Sequence, residues 1–329
     1  MTIHQPTPVI AASGLRRVFK GRGGQVVAVA GVDLEVGPGE IFGFLGPNGA
    51  GKTTTLRMLA TLLPPSAGEA RVAGWDLRAQ PDRVRERIGY VGQQGGTDRG
   101  TTGRSELSFQ AQLYGLGARA AAARASELIA AFELGACADR PIETYSGGQR
   151  RRLDIALGLV HRPVLLFLDE PTTGLDPQSR AHLWDEVRGL REAGTTVFLT
   201  THYLDEADQL CDRIAIIDQG RIVSEGTPDE LKGAVAGDVV TLGMRTGNGQ
   251  RETALGVLRA LPFYRDHDQL AEDDHRIRVY VDSGESAMPA ILRALNDSHV
   301  VVDTVSLSRP SLDHVFLRQT GRSLREEVA

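Results

Sequence analysis

Cysteine is nearly absent: the 329 residues hold two, Cys137 and Cys211. Two thiols cannot build a disulfide framework, and their sequence neighbours suggest no metal site. They are expected as reduced core thiols. Long apolar runs are missing too. A membrane helix needs ~20 apolar residues, and the longest runs here are strand-sized, such as residues 164–168. The first eight residues lack a basic segment followed by an apolar core, so they do not read as a signal peptide. If the protein works at a membrane, another chain must span it. A strong charge of either sign is also lacking. The net charge of −5 gives no global pull towards nucleic acid or anionic lipid. Lysine is scarce, confined to Lys20, Lys52 and Lys232.

What is present is ordinary for a globular protein: 41% hydrophobic and 24% charged residues. The length exceeds what one ordinary domain needs. Residues 9–45 read as strands with turns, Pro38-Gly39 being one turn signal. A glycine-rich loop follows the short strand 41–45. A helix is expected from Lys52 to about Leu62, stopped by Pro64-Pro65. Residues 71–73 and 88–91 look like strands, and 103–134 like alanine-rich helix. A helix from Ser146 to about Val160 precedes a buried strand at 164–168. Helix 177–193, strand 195–200 and a short helix from Tyr203 come next. Asp218-Gln219-Gly220 marks a hairpin between strands 214–217 and 221–224. Strands alternating with helices imply a parallel α/β sheet. After about Gly237 the style changes: strands at 239–244, 276–281 and 300–307, helices at 252–261, 287–295 and from about Ser311. That reads as a small α+β domain.

Gly46, Pro47, Asn48, Gly49, Ala50, Gly51, Lys52 and Thr53 fit G-x-x-x-x-G-K-[ST], between a strand and a helix. Glycines let backbone N–H groups curl round phosphate oxygens. The following helix adds its positive end. Lys52 reaches β- and γ-phosphates as a point charge, and the Thr53 hydroxyl suits Mg²⁺. Further on, the apolar strand ends in Asp169 and Glu170. Phosphoryl transfer to water needs one carboxylate for the ion and one for the water.

The residues Tyr145, Ser146, Gly147, Gly148, Gln149 and Arg150 resemble the signature of the ATP-binding-cassette family. They stand about 20 residues before the Asp-Glu pair. Ser146 and its glycines, at a helix start, would form a second phosphate cradle. The resemblance covers about residues 9–235 and implies further roles. Phe19 stands where an aromatic stacks on adenine, and Thr54 adds a hydroxyl to the α-phosphate. Gln93 resembles the glutamine that reaches Mg²⁺ and water and begins the segment sensing a membrane subunit. The usual proline before it is Gly92 here, and adjacent Gln94 leaves the register open. Asp176 matches the loop that touches the opposite cassette, and His202 the histidine that contacts the γ-phosphate. The run Arg150-Arg151-Arg152 is read as a solvated helix face. From Pro310 through Gly321-Arg322 the tail is similar to the end of daunorubicin-resistance-type cassettes.

The resemblance thus implies a P-loop NTPase cassette at 9–235, with a mixed sheet core, an antiparallel β subdomain and a helical insertion at about 95–150. A small α+β accessory domain at 238–329 follows. The implied activity is ATP hydrolysis with Mg²⁺. Two copies would pair head to tail around two ATP and drive a polytopic permease, exporting a drug or natural product. No nucleic acid partner is expected, and the implied place is the cytoplasmic face of the cell membrane, as a peripheral protein. The alternatives are a soluble cassette ATPase acting on ribosomes or DNA, and an importer motor with a regulatory tail. Soluble ribosomal types usually carry two cassettes. DNA-repair types separate the half-motifs by a long coiled coil or a large insertion, whereas about 95 residues separate Lys52 from Ser146 here.

Overall fold

The computed structural model describes residues 7–21, 24–234, 238–244, 250–262, 264–267, 276–308 and 311–321. They fall into two compact units that divide between residues 227 and 228.

The first unit opens with β1 (Ile10–Gly21) and β2 (Gly24–Val36), paired antiparallel along their length. Then come β3 (Ile41–Leu45), α1 (Lys52–Leu59), β4 (Ala67–Val72), β5 (Trp75–Asp76), α2 (Pro81–Arg85) and β6 (Ile88–Val91). The helical insertion follows as α3 (Gly103–Leu113), α4 (Ala118–Ala131) and α5 (Gly147–Gly158). The unit closes with β7 (Leu165–Asp169), α6 (Pro177–Glu192), β8 (Thr196–Thr201), α7 (Leu204–Leu210), β9 (Arg213–Asp218) and β10 (Arg221–Gly226).

Two sheets result. An antiparallel sheet has the order β2-β1-β4-β5, and a mixed one the order β10-β9-β3-β8-β7-β6. In the second, all neighbours are parallel except the edge strand β10. Every residue of β3, β7 and β8 is buried, as expected of central parallel strands covered on both faces. Phe42, Phe44 and Phe167 surround Phe198 with ring centroids 5.6 Å away in each case. This aromatic cluster fixes the three strands whose C-terminal ends carry the loops of interest.

The second unit contains α8 (Pro228–Ala234), β11 (Asp238–Met244), α9 (Gln250–Arg259), β12 (Tyr264–His267), β13 (Arg276–Val281), α10 (Gly284–Asp297), β14 (Val302–Ser308) and α11 (Leu312–Thr320). Its antiparallel sheet has the order β12-β13-β11-β14. Val240, Leu242, Ile277 and Val279 pack with Ala254, Leu258, Ile291 and Leu295 of α9 and α10. The α+β reading of the tail therefore holds. Pro310 and Arg322 of the tail motif lie outside the described residues.

Several boundaries differ from the sequence reading. Helix α1 stops at Leu59 because Ala60 caps it and Thr61 adopts φ +64°, so the chain has turned before the two prolines. The stretch read as 103–134 is two helices, broken at Gly115, whose φ is +88°. Strand β4 begins at Ala67, ahead of the expected Arg71. Strand β12 was not expected at all, being charged and short.

One half-buried acid should make stability depend on pH. Glu186 of α6 is 15% exposed. Burial pushes its carboxyl up to about 8; Arg152 opposes the shift and Glu133 adds to it. The folded chain thus keeps a proton that the unfolded chain releases near its ordinary pKa. Stability should therefore fall as pH rises from about 4.5 to about 8. Glu186→Gln should melt higher than the parent at alkaline pH and alike at acid pH. Identical pH slopes for the two proteins would show that Glu186 carries no such proton.

Candidate functional site

The phosphate loop joins β3 to α1, and its shape depends on backbone contacts with β9 and the turn after it. A Cβ on Gly46 would lie 2.3 Å from the Ile217 carbonyl oxygen, so only glycine lets the loop sit against β9. Gly51 has φ +106°, and a Cβ there would meet the Ala28 carbonyl oxygen at 2.6 Å. The β9–β10 turn, with Gln219 and Gly220 both at positive φ, has the twist favoured in two-residue hairpins. Gly220 N–H donates to the Ala50 carbonyl at 2.9 Å and so braces the loop. Helix α1 has no side-chain cap among the described residues, which leaves its first N–H groups for an anion. Helices α5 and α6, by contrast, are capped by Ser146 and Asp176.

Lys52 is buried, and its Nζ donates to the carbonyls of Gly46 at 2.7 Å and Pro47 at 3.0 Å. It also lies 3.4 Å from Glu170 Oε1. Thr53 Oγ1 donates to Asp169 Oδ1 at 2.9 Å, and Thr200 Oγ1 donates to the same oxygen at 2.8 Å. Asp169 is fully buried, yet its Oδ2 has no hydrogen-bond partner. A buried carboxylate oxygen left open beside a threonine hydroxyl is a donor set that fits a hard divalent cation such as Mg²⁺.

Glu170 follows β7 with φ +45°, a left-handed backbone that is uncommon for a residue with a side chain. Its N–H donates to Thr200 O at 3.1 Å and Thr200 Oγ1 at 3.0 Å, which holds the turn. Its carboxylate accepts from Gln93 Nε2 at 3.1 Å and Thr173 Oγ1 at 3.3 Å. His202 Nδ1 is 3.4 Å away. Burial works against the charge on Glu170, but the neighbouring His202 and Lys52 outweigh it and hold the carboxyl at about 2.

Pro47, Asn48, Gly49, Gly51, Lys52, Thr53 and Thr54 thus line one open cleft of 380 Å³ with Gln93, Glu170 and Ala28. Asp169 and His202 adjoin it through Thr53 and Glu170, whereas the signature residues, Asp176 and Phe19 are elsewhere on the chain. Ser146, Gly148 and Gln149 face a separate, smaller cleft with Leu175 and Ser179. Ser146 Oγ accepts from Gln149 N–H at 3.2 Å, and Gln149 Oε1 accepts from Ser146 N–H at 3.0 Å, closing a capping box. Gly147 lies in the same first turn. Asp176 caps α6 by accepting from Ser179 N–H and Oγ. Phe19 lies on β1, 39% exposed, with the Arg17 guanidinium 4.8 Å from its ring centre. Of the two adjacent glutamines, Gln93 points at Glu170, whereas Gln94 lines a groove beside α3 and α5.

The reading of Arg150–Arg152 as a solvated face fails at Arg151. Arg151 is 7% exposed and spends its guanidinium on three backbone carbonyls. It shares a helix face with buried Ile155, which turns that face inward. Thr200 and Thr173 were also passed over. Their signal was a hydroxyl at the end of an otherwise apolar strand, and one three residues after Glu170.

Comparison with known proteins gives the family. The family model for ABC transporters matches residues 29–173. The daunorubicin/doxorubicin resistance ATP-binding protein DrrA of Streptomyces peucetius is 49% identical over 319 residues, 96% of this chain and 94% of that protein. The chain belongs to the ABC transporter ATP-binding family. It is a nucleotide-binding ATPase subunit that powers transport. The cassette is followed by a match, over residues 226–320, to the model described as "ATP-binding protein DrrA1-3-like, C-terminal domain". The linearmycin resistance ATP-binding protein LnrL of Bacillus subtilis is 37% identical, covering 97% of this chain and 100% of its own. The dimeric structure of a bacterial ABC transporter cassette superposes with a TM-score of 0.61 at 25% identity, over 66% of this chain and 98% of that one. Among the described residues, no helix of this cassette chain is long and apolar enough to cross a membrane.

Proposed function

We propose that this subunit drives export of a drug or natural product through a separate polytopic permease, from the cytoplasmic face of the membrane. The observation that carries the chemistry is the cleft lined by Lys52, Thr53, Gln93 and Glu170, with buried Asp169 hydrogen-bonded to Thr53 at its wall. The export reading is supported by the resistance proteins it resembles along nearly its whole length.

In this reading the loop Gly46–Thr54 binds the ATP phosphates, with Lys52 turning from its carbonyl partners to the β- and γ-oxygens. Thr53, the open oxygen of Asp169 and Gln93 would hold Mg²⁺. Bound there, the ion neutralises charge on the phosphates. Glu170 orients and deprotonates water, while Gln93 and His202 fix its carboxylate. Phe19 stacks on the adenine. Ser146, Gly147, Gly148 and Gln149 lie in another cleft, so they serve the ATP of a second copy, with Asp176 at the same seam. Most of the rate comes from positioning and charge stabilisation.

The permease is proposed to dock on the groove beside the Gln93 loop. Tyr90, Glu106, Tyr114, Asp154 and His161 line it, and Phe109 and Leu113 stand 57% and 65% exposed on α3. Apolar side chains this exposed on one helix suit a protein contact. The test is affinity purification of the tagged Glu170→Gln protein from gently solubilised native membranes with ATP. A polytopic membrane protein should co-purify in near-equal amount, and be lost when Phe109 and Leu113 are both changed to Glu. Recovery of soluble protein with ribosomes or nucleic acid attached would sink the transport reading and leave the ATPase chemistry.

A further inference from the structure

Arg151 sits on α5, five residues after Ser146. Its Nε donates to the Pro171 carbonyl at 2.8 Å and its Nη2 to the Asp169 carbonyl at 3.2 Å. Those two residues flank Glu170 on either side. Its Nη1 donates to the Gly92 carbonyl at 2.6 Å, the peptide immediately before Gln93. One planar fork therefore grips the backbone around both Glu170 and Gln93.

The need for such a grip is visible locally. Glu170 holds a left-handed backbone at φ +45°, which persists only where its surroundings impose it. The Gln93 loop contains Gly92, Gly95 and Gly96, so its own stiffness is low. Helix α5 touches that loop a second time. A Cβ at Gly95 would fall 2.6 Å from Asp154 Oδ2, so the loop backbone lies directly on the Asp154 carboxylate. Burial works against the charge on the guanidinium and lowers its pKa, while the acids Asp154, Asp169 and Glu206 oppose that shift.

We infer that Arg151 is a positioning residue that joins the signature turn of a cassette to its own water-activating carboxylate. The inference rests on the roles proposed above for Glu170 and Gln93. Ser146 to Gln149 form the first turn of α5, and Arg151 is fixed to the same rigid helix. Any shift of that turn, when it closes on the ATP of a second copy, is delivered through three hydrogen bonds to the backbone on both sides of Glu170 and just before Gln93. Each copy's hydrolysis thus responds to the nucleotide its partner presents. The two ATP sites are coupled within one helix, independently of the permease.

The test uses the full chain with Mg-ATP and compares Arg151→Met, Arg151→Lys and Glu170→Gln. Four quantities are read: kcat, KM, the Hill coefficient for ATP, and the affinity for a fluorescent ATP analogue. Melting temperature reports folding. Arg151→Met should lose roughly 10²-fold in kcat, the size expected for misplaced reacting groups. Its nucleotide affinity should stay within about threefold, because no contact to the phosphate loop is removed. Its Hill coefficient should fall towards one. Arg151→Lys keeps the charge but not the planar fork, and should fall between the two. If Arg151→Met does not fold, Arg151→Lys decides alone: full activity with undiminished cooperativity overturns the inference. So does a variant whose nucleotide affinity falls in step with kcat, which marks a merely structural arginine. If Glu170→Gln is inactive while Arg151→Met hydrolyses normally, only this inference fails. If Glu170→Gln hydrolyses normally, the underlying assignment fails instead.

Discussion

Glu170→Gln should bind ATP, hold two copies together and turn over about 10²–10⁴-fold more slowly than the parent. The substitution preserves size and can still accept from Gln93 and Thr173, which contact one carboxylate oxygen at 3.1 and 3.3 Å. What it removes is negative charge and basicity. In the resting chain that basicity is suppressed. The carboxyl is held at about 2, with His202 and Lys52 overcoming the effect of burial. A carboxylate so stabilised is a poor proton acceptor. Once Lys52 turns to a phosphate, one of its stabilising charges is gone and its proton affinity rises. Under the proposed mechanism, arrival of the substrate would thus strengthen the base. Single-turnover hydrolysis and size-exclusion chromatography in ATP check the two halves of this expectation. Hydrolysis near the parent rate would refute the role of Glu170.

Lys52→Ala should weaken nucleotide binding itself, by about 10–100-fold, the range for losing hydrogen bonds to a charged group. The ammonium is 5% exposed and already directed into the loop by the Gly46 and Pro47 carbonyls. Among the described residues, no other lysine lines this cleft. Equilibrium titration with a fluorescent ATP analogue reads the effect. Unchanged affinity would count against the assignment. The contrast between the variants is diagnostic, since one should lose binding and the other only the chemical step.

The phosphate loop was legible to the residue because its chemistry is local: glycine spacing, a preceding strand and a following helix are all adjacent in sequence. The same holds for β7, whose apolar run ends in Asp169 and Glu170. Residues whose meaning depends on facing direction were not legible. Three consecutive arginines point three ways round a helix, and only packing shows that Arg151 is the one turned inward. Nor does sequence order reveal that Ser146 and Lys52 line different clefts of one chain. The end of α1 was misplaced because the turn at Thr61 comes before the prolines that advertise it. The second unit read correctly in its alternation of strands and helices, but β12 escaped because four charged or aromatic residues carry no period.

The distance in the fold between the Lys52 cleft and the Ser146 cleft has a genetic consequence. Under the proposed pairing, each copy lends half of itself to its neighbour's reaction, so a lesion in one copy is not private to it. A cell making both parent and Glu170→Gln chains would assemble fully intact pairs only as the square of the parent fraction. The mutant allele should therefore behave as dominant, reducing transport in cells that still carry a normal copy.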